Sequence, residues 1–164
     1  MLSSNGLGKN VNVTITESDQ ATISLNLENI IEGEATVTAD DNGNYKGHFK
    51  QTGGWARPDN MENNELHISM KEYDLTAEGK VKEVNRGKSS LSRTFTHEFF
   101  HVLGLDHPWG EKAPEDLKGP NIKDKTIINN IQNSSENPNE NLRSTSGTGM
   151  TQGQKDHIKN LKNK

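Results

Sequence analysis

Residues 97–107, His-Glu-Phe-Phe-His-Val-Leu-Gly-Leu-Asp-His, fill every fixed position of the pattern HExxHxxGxxH. Positions i and i+4 of an α-helix lie on one face about one turn apart, so His97 and His101 can aim imidazole nitrogens at a single ion. Glu98 falls beside them, offset around the helix. From there its carboxylate can reach a water on the metal without ligating the metal itself. Gly104 is the expected end of that helix, because glycine enters the left-handed conformation without a steric penalty. The chain then reverses and returns His107 as a third ligand. Three protein ligands leave the fourth position of a zinc ion open, the pattern of a catalytic rather than a structural site. Zinc so held acidifies its water and polarises a carbonyl, with Glu98 as general base and then general acid. The expected reaction is peptide-bond hydrolysis without a covalent enzyme intermediate.

The eleven-residue motif resembles that of the metzincin clan of zinc metallopeptidases. The resemblance is tight over 97–107 and loose over 60–164, and the first sixty residues carry none. It implies zinc ligation by His97, His101 and His107, catalysis by Glu98, and a helix-ending role for Gly104. It also implies an α+β, zincin-like fold: a twisted, mostly β upper lobe, an active-site helix, and a loop-rich lower lobe that ends in a helix. Metzincins carry a methionine in a tight turn beneath the zinc. Three segments here are candidates for that turn: Asn130–Ser134 with Gln132 in the methionine's place, Asn141–Ser144 with Arg143, and Gly147–Met150 with a true methionine. The Gln132 segment is favoured on local resemblance, with Met150 close behind. No tyrosine follows His107, so a tyrosine ligand of the kind some metzincins use is excluded.

The elements that must position these residues are legible in outline. One domain is expected over 1–164, with 1–107 as the upper lobe and 108–164 as the lower. Period-two alternation predicts strands over Val11–Thr16, Ala21–Leu27, Glu34–Ala39, Tyr45–Lys50 and Glu65–Met70. Asp40-Asp41-Asn42-Gly43-Asn44 reads as a hairpin turn; as a calcium loop its spacing does not fit an EF-hand. Leu66–Met70, the last strand before the motif, is the expected sheet edge above the cleft, where backbone pairing would hold an extended peptide. His67 then reads as a surface histidine of that edge. The motif helix is expected to start near Ser89–Ser92, capped by serine, and to bury Leu91, Phe95, Phe99, Val102 and Leu103. Asp106 either orients an imidazole or holds the turn, and Trp109 either walls the cleft or packs the turn. Thr126–Ile131 is the one apolar cluster of the lower lobe and would shape the pocket beneath the zinc. Thr151-x-x-Gln154 is a capping box opening a last helix, Gln152–Leu161, with His157 on its surface.

Composition bounds the rest. Apolar residues make up 28% of the chain, against a usual 45–50%, so the core must be small and asparagine-rich loops extensive. Formal net charge is -4 with no basic cluster, which leaves nucleic acid no electrostatic footprint. No apolar run approaches the length of a membrane span. The absence of cysteine excludes disulfides, thiolate ligands and a cysteine latency switch. The N-terminus lacks the regions of a signal peptide, so a chain secreted or delivered outside the producing cell is expected, either as a mature or excised fragment or by a route needing no such signal. A monomer acting on polypeptide is expected. Two rivals remain: a protease toxin or effector module held in check by an inhibitor or immunity protein, and an inactive zinc-binding module.

Overall fold

The computed structural model describes residues 23–57 and 64–161. The strand expected over Val11–Thr16 lies outside the described residues. What is described is mixed α and β: seven strands in three small sheets and three helices, compatible with the expected α+β class.

β1 (Ile23–Glu28) runs parallel to β5 (Asn64–Ser69), and β4 (Gly54–Arg57) runs antiparallel on the other side of β5. The sheet order is therefore β1-β5-β4. This corrects one expectation: the 66–70 segment is the central strand of its sheet, and the edge is β4. The reason is a partner far along the chain: β1 pairs with 64–69 in parallel while β4 takes the other flank. Leu66 and Ile68 are buried on the side where α1 (Lys88–Val102) packs on β4 and β5. His67 is accordingly a mid-sheet residue. Its ring stacks on Trp55 across the pair, with centroids 3.8 Å apart, and pairs with Glu28 on the other neighbour.

β2 (Gly33–Ala39) and β3 (Tyr45–Gln51) form the expected hairpin. Gly43 takes φ 79° in the turn, and the Asp40 carboxylate accepts from the backbone of Asn42 and Asn44 and from the Asn44 side chain. These bonds within the turn lower the Asp40 carboxyl, first through the Asn44 side chain. β6 (Lys71–Leu75) and β7 (Val81–Asn85) make a second hairpin that leads into α1.

Helix α1 begins after Gly87 with no side-chain cap, so the serine cap expected near its start is absent. Ser90 instead accepts from Arg86, whose guanidinium also donates to Thr94 Oγ1 and to the carbonyls of Gly53 and Ser69. The helix thus starts where Arg86 ties it to the sheet. Its fully buried residues are Thr94, Thr96, His97, Glu98 and Phe100, a second correction. The predicted stripe of Leu91, Phe95, Phe99, Val102 and Leu103 is only partly covered. A helix covered on one side packs its most apolar stripe inward; this one is covered by sheet on one side and by the 130–133 segment on another.

The helix ends as expected at Gly104, with φ 80°. Gly104 N–H donates to the His101 carbonyl at 2.8 Å and Leu105 N–H to that of Phe100 at 2.9 Å, the paired bonds of a Schellman cap. Beyond it, α2 (Asp124–Ile128) and α3 (Gln152–Leu161) are joined by long irregular segments. The capping box of α3 is present in both directions, Thr151 N–H to Gln154 Oε1 and Gln154 N–H to Thr151 Oγ1. The core is as small as the composition requires: Phe100, Leu105, Ile131 and Ile158, with Phe99, Leu103 and Met150 against it. Polar side chains fill much of the remaining interior, notably the reciprocal amide pair of Asn130 and Gln154.

Candidate metal centre

The helix and its Schellman turn bring His97, His101 and His107 together at one point. Nε2 of His101 lies 3.2 Å from Nε2 of His97 and 3.2 Å from Nε2 of His107. The protons explain what those contacts are. Nδ1 of His97 faces the Ile131 carbonyl at 2.7 Å, and Nδ1 of His101 faces the Leu105 carbonyl at 2.7 Å. A carbonyl only accepts, so in each neutral ring the proton sits on Nδ1 and Nε2 carries a lone pair. Neither Nε2 can then donate to the other; the lone pairs point toward common space. Tetrahedral ligands at 2.0–2.1 Å stand about 3.3 Å apart; two of the three pairs have that spacing, and all three ligand atoms lie within 4.8 Å of one another. Among the described residues this is the one histidine, cysteine or carboxylate cluster of that kind, and it can hold a metal ion.

The electrostatics favour the unprotonated ligands. Burial, then the charge of its neighbour His101, pushes His97 down to about 3. Burial and His107 push His101 down to about 4, and burial lowers His107 as well. Glu98 is buried and lines the same cleft as the three histidines. Burial raises its carboxyl to about 8, against the pull of the Arg93 guanidinium.

Surrounding residues sort out the alternatives left by the sequence. Asp106 accepts the His107 N–H at 2.8 Å and the Lys112 N–H at 3.1 Å; it holds the turn, while its charge favours protonated His101 and His107. Trp109 stacks on the His107 ring, with centroids 4.5 Å apart and planes 8° off parallel. Of the three segments weighed for the position beneath the histidines, Asn130–Asn133 is the one there. Gln132 Nε2 lies 3.1 Å and 3.3 Å from the two nitrogens of His101. Met150 joins the core cluster, and Arg143 is exposed, bonded to Asn137 and Glu140. Of the apolar cluster at 126–131, Ile131 reaches the site through its carbonyl, the His97 acceptor, while Ile127 is buried and lines a separate pocket with Pro108 and Trp109. His157 is exposed as expected, and its Nε2 faces the Leu103 carbonyl at the end of α1.

Two residues of the site carry no motif. Arg93 sits one turn before His97 and reaches the lower segment; a charge on the buried face of a helix is the signal that could have found it. Gly54 of β4 packs directly against Glu98, where a Cβ would stand 3.0 Å from the Glu98 Cγ.

Compared with protein-family models, with curated proteins and with solved structures, the chain has no match in any of the three.

Proposed function

We propose that the protein is a zinc-dependent endopeptidase of zincin type, similar to the metzincins. The observation that carries this reading is the convergence of three imidazole Nε2 atoms, those of His97 and His101 left with lone pairs by a carbonyl on the far nitrogen, in a cleft that also holds a buried carboxyl. Three clustered histidines suit zinc and leave one of its positions open.

His97, His101 and His107 would hold the zinc ion, which when bound would acidify a water and polarise the scissile carbonyl. Glu98 handles the proton. Its carboxylate accepts the proton of the attacking water as the water oxygen bonds to the carbonyl carbon. The carbon–nitrogen bond then breaks as Glu98 returns that proton to the leaving nitrogen. Burial favours the acid form of Glu98, while Arg93 and a cation among the histidines favour the carboxylate. The carboxyl is thereby suited to both taking and giving a proton near neutrality.

The cleft supports a polymeric substrate. It is a long, half-open groove of about 1420 Å³, whereas small-molecule pockets of roughly 300–1,000 Å³ bury most of their ligand. Gly54, Trp55 and Ala56 of β4, the edge strand of its sheet, line it. An extended polypeptide lying along the cleft would offer alternate side chains to it.

The test is metal analysis joined to digestion of a denatured protein and a peptide library, read by mass spectrometry. One zinc per chain, cleavage by the wild type, and zinc retained with cleavage lost in Glu98→Ala are expected. Zinc-loaded wild type that cleaves nothing would leave an inactive metal-binding module in its place.

A further inference from the structure

Arg93 joins the motif helix to the segment beneath it. Its Nη2 donates to the carbonyls of Asn133 at 2.6 Å and Ile131 at 3.2 Å, and its Nε donates to that of Gly147 at 3.2 Å. The Ile131 carbonyl is the same one that accepts from Nδ1 of His97 at 2.7 Å. One guanidinium therefore holds three carbonyls from two loops of the lower segment, and one of those carbonyls orients a candidate ligand. The side chain is half-buried and lines the cleft. Its planar fork can hold several acceptors in fixed directions, which the single ammonium of lysine cannot do.

We propose that Arg93 is a positioning residue for the metal site, fixing the Ile131 carbonyl and through it the ring orientation and Nδ1–H tautomer of His97. Carbonyls at this position in a metal site hold the ligand ring and raise its basicity, and their loss commonly costs about 10–100-fold in metal affinity. Here the carbonyl belongs to the backbone and cannot itself be removed, so the residue that holds it becomes the accessible lever. Without Arg93 the Ile131 carbonyl is held only through its own peptide unit, whose Gln132 N–H donates to Asn130 Oδ1 at 2.9 Å, and the aim of the Nε2 lone pair is loosened. The proposal rests on the reading that His97, His101 and His107 hold zinc.

The experiment compares full-length wild type, Arg93→Lys and Arg93→Met. Zinc affinity is read by competition with a chromophoric chelator, and ligand geometry by the visible spectrum of the cobalt(II) form. Circular dichroism and melting of the metal-free proteins report the fold. Arg93→Met should bind zinc about 10–100-fold more weakly and shift the cobalt bands, with Arg93→Lys between it and the wild type. A purely architectural role predicts something else: lower melting temperature, with wild-type affinity and cobalt spectrum in the folded protein. That result overturns the proposal. If Arg93→Met does not fold, Arg93→Lys decides by the same two readouts. A wild type that binds neither ion overturns the zinc reading and this proposal together, whereas normal wild-type binding with unchanged variants overturns this proposal alone.

Discussion

Gln132 places its side-chain nitrogen 3.1 Å from Nδ1 of His101, whose proton is already given to the Leu105 carbonyl at 2.7 Å. The neutral ring has one remaining lone pair, on Nε2, and that one faces the other histidines. The amide therefore lies against the ring with no acceptor on it to satisfy. Its other end is worse placed: Gln132 is fully buried and its Oε1 has no hydrogen-bond partner among the described residues. A buried, unpaired acceptor costs about 1–3 kcal/mol.

Gln132→Met should then stabilise the metal-free protein. The two side chains are similar in length, and the thioether brings no unpaired carbonyl. At about 2–4 °C per kcal/mol for a chain of this size, a rise of several degrees in melting temperature is expected, with zinc affinity little changed. A lower melting temperature would mean that the amide makes a bond of real value at this position, through an ordered water for example.

The sequence made the site legible where short-range geometry governs it. The i, i+4 spacing put His97 and His101 on one helical face, Gly104 ended the helix with positive φ, and Thr151 with Gln154 opened α3. Each of these depends on residues a few positions apart. What stayed hidden depends on partners far along the chain. β5 is central because β1 pairs with it in parallel some forty residues away, and no local alternation in 64–69 distinguishes that from an edge. Phe100 is buried, while Leu91 and Val102 are half covered, because α1 is sandwiched between two layers rather than laid on one. The Ile131 carbonyl on His97 is invisible to any motif, since every residue has a carbonyl. Segments 111–123 and 134–149 carry few apolar residues and no period, so only the folded chain reveals which of Gln132, Arg143 and Met150 lies beneath the histidines.

Removing metal should destabilise the protein measurably. A ligand bound only by the folded state adds about 2.7 kcal/mol when free metal is a hundredfold above its dissociation constant, or about 5–10 °C in melting temperature at this size. Zinc added to chelator-treated protein should restore the melting temperature, and magnesium should not, because three imidazoles suit zinc and not a hard, oxygen-seeking ion. Single replacement of His97, His101 or His107 by Ala should abolish the zinc-dependent increment. Equal melting temperatures with and without chelator would sink the assignment of a native-state metal.

The metal-free protein should be most stable near pH 6.5. His97 and His101 sit at about 3 and about 4 when folded, against 6.5 as ordinary side chains. Between those values the unfolded chain binds more protons, so stability rises with pH up to about 6.5. Glu98 works the other way. Its folded value of about 8 exceeds its ordinary 4.5, so the folded chain binds more protons and stability falls as pH rises toward 8. His107, lowered by burial as well, adds to the acid limb, so below 6.5 the histidines outnumber the carboxyl; well above it only the carboxyl remains. Denaturant titrations at pH 5, 6.5 and 8 read the curve, and Glu98→Gln should flatten its alkaline limb. A limb unchanged in that variant would assign the alkaline loss to some other group.

Glycine at position 54 is what lets the edge strand lie this close to the candidate base. A Cβ there would stand 2.8 Å from the His67 carbonyl oxygen, 2.8 Å from Thr94 Cγ2 and 3.0 Å from Glu98 Cγ. The carbonyl belongs to the central strand and Thr94 is buried, so neither yields easily. Gly54→Ala must lift β4 from α1 or turn the Glu98 side chain, at about 1–3 kcal/mol for the overpacking. A displacement near 1 Å of a reacting group costs on the order of a hundredfold in rate. Turnover should therefore fall by about 10–100-fold, while zinc stays bound, because no histidine is touched. Gly53→Ala is the matched control: its Cβ would meet Arg86 at 3.5 Å and Thr94 at 3.7 Å, ordinary contact distances. If Gly54→Ala turns over substrate as fast as Gly53→Ala, the packing of β4 on Glu98 has no part in holding the carboxyl where the reaction needs it.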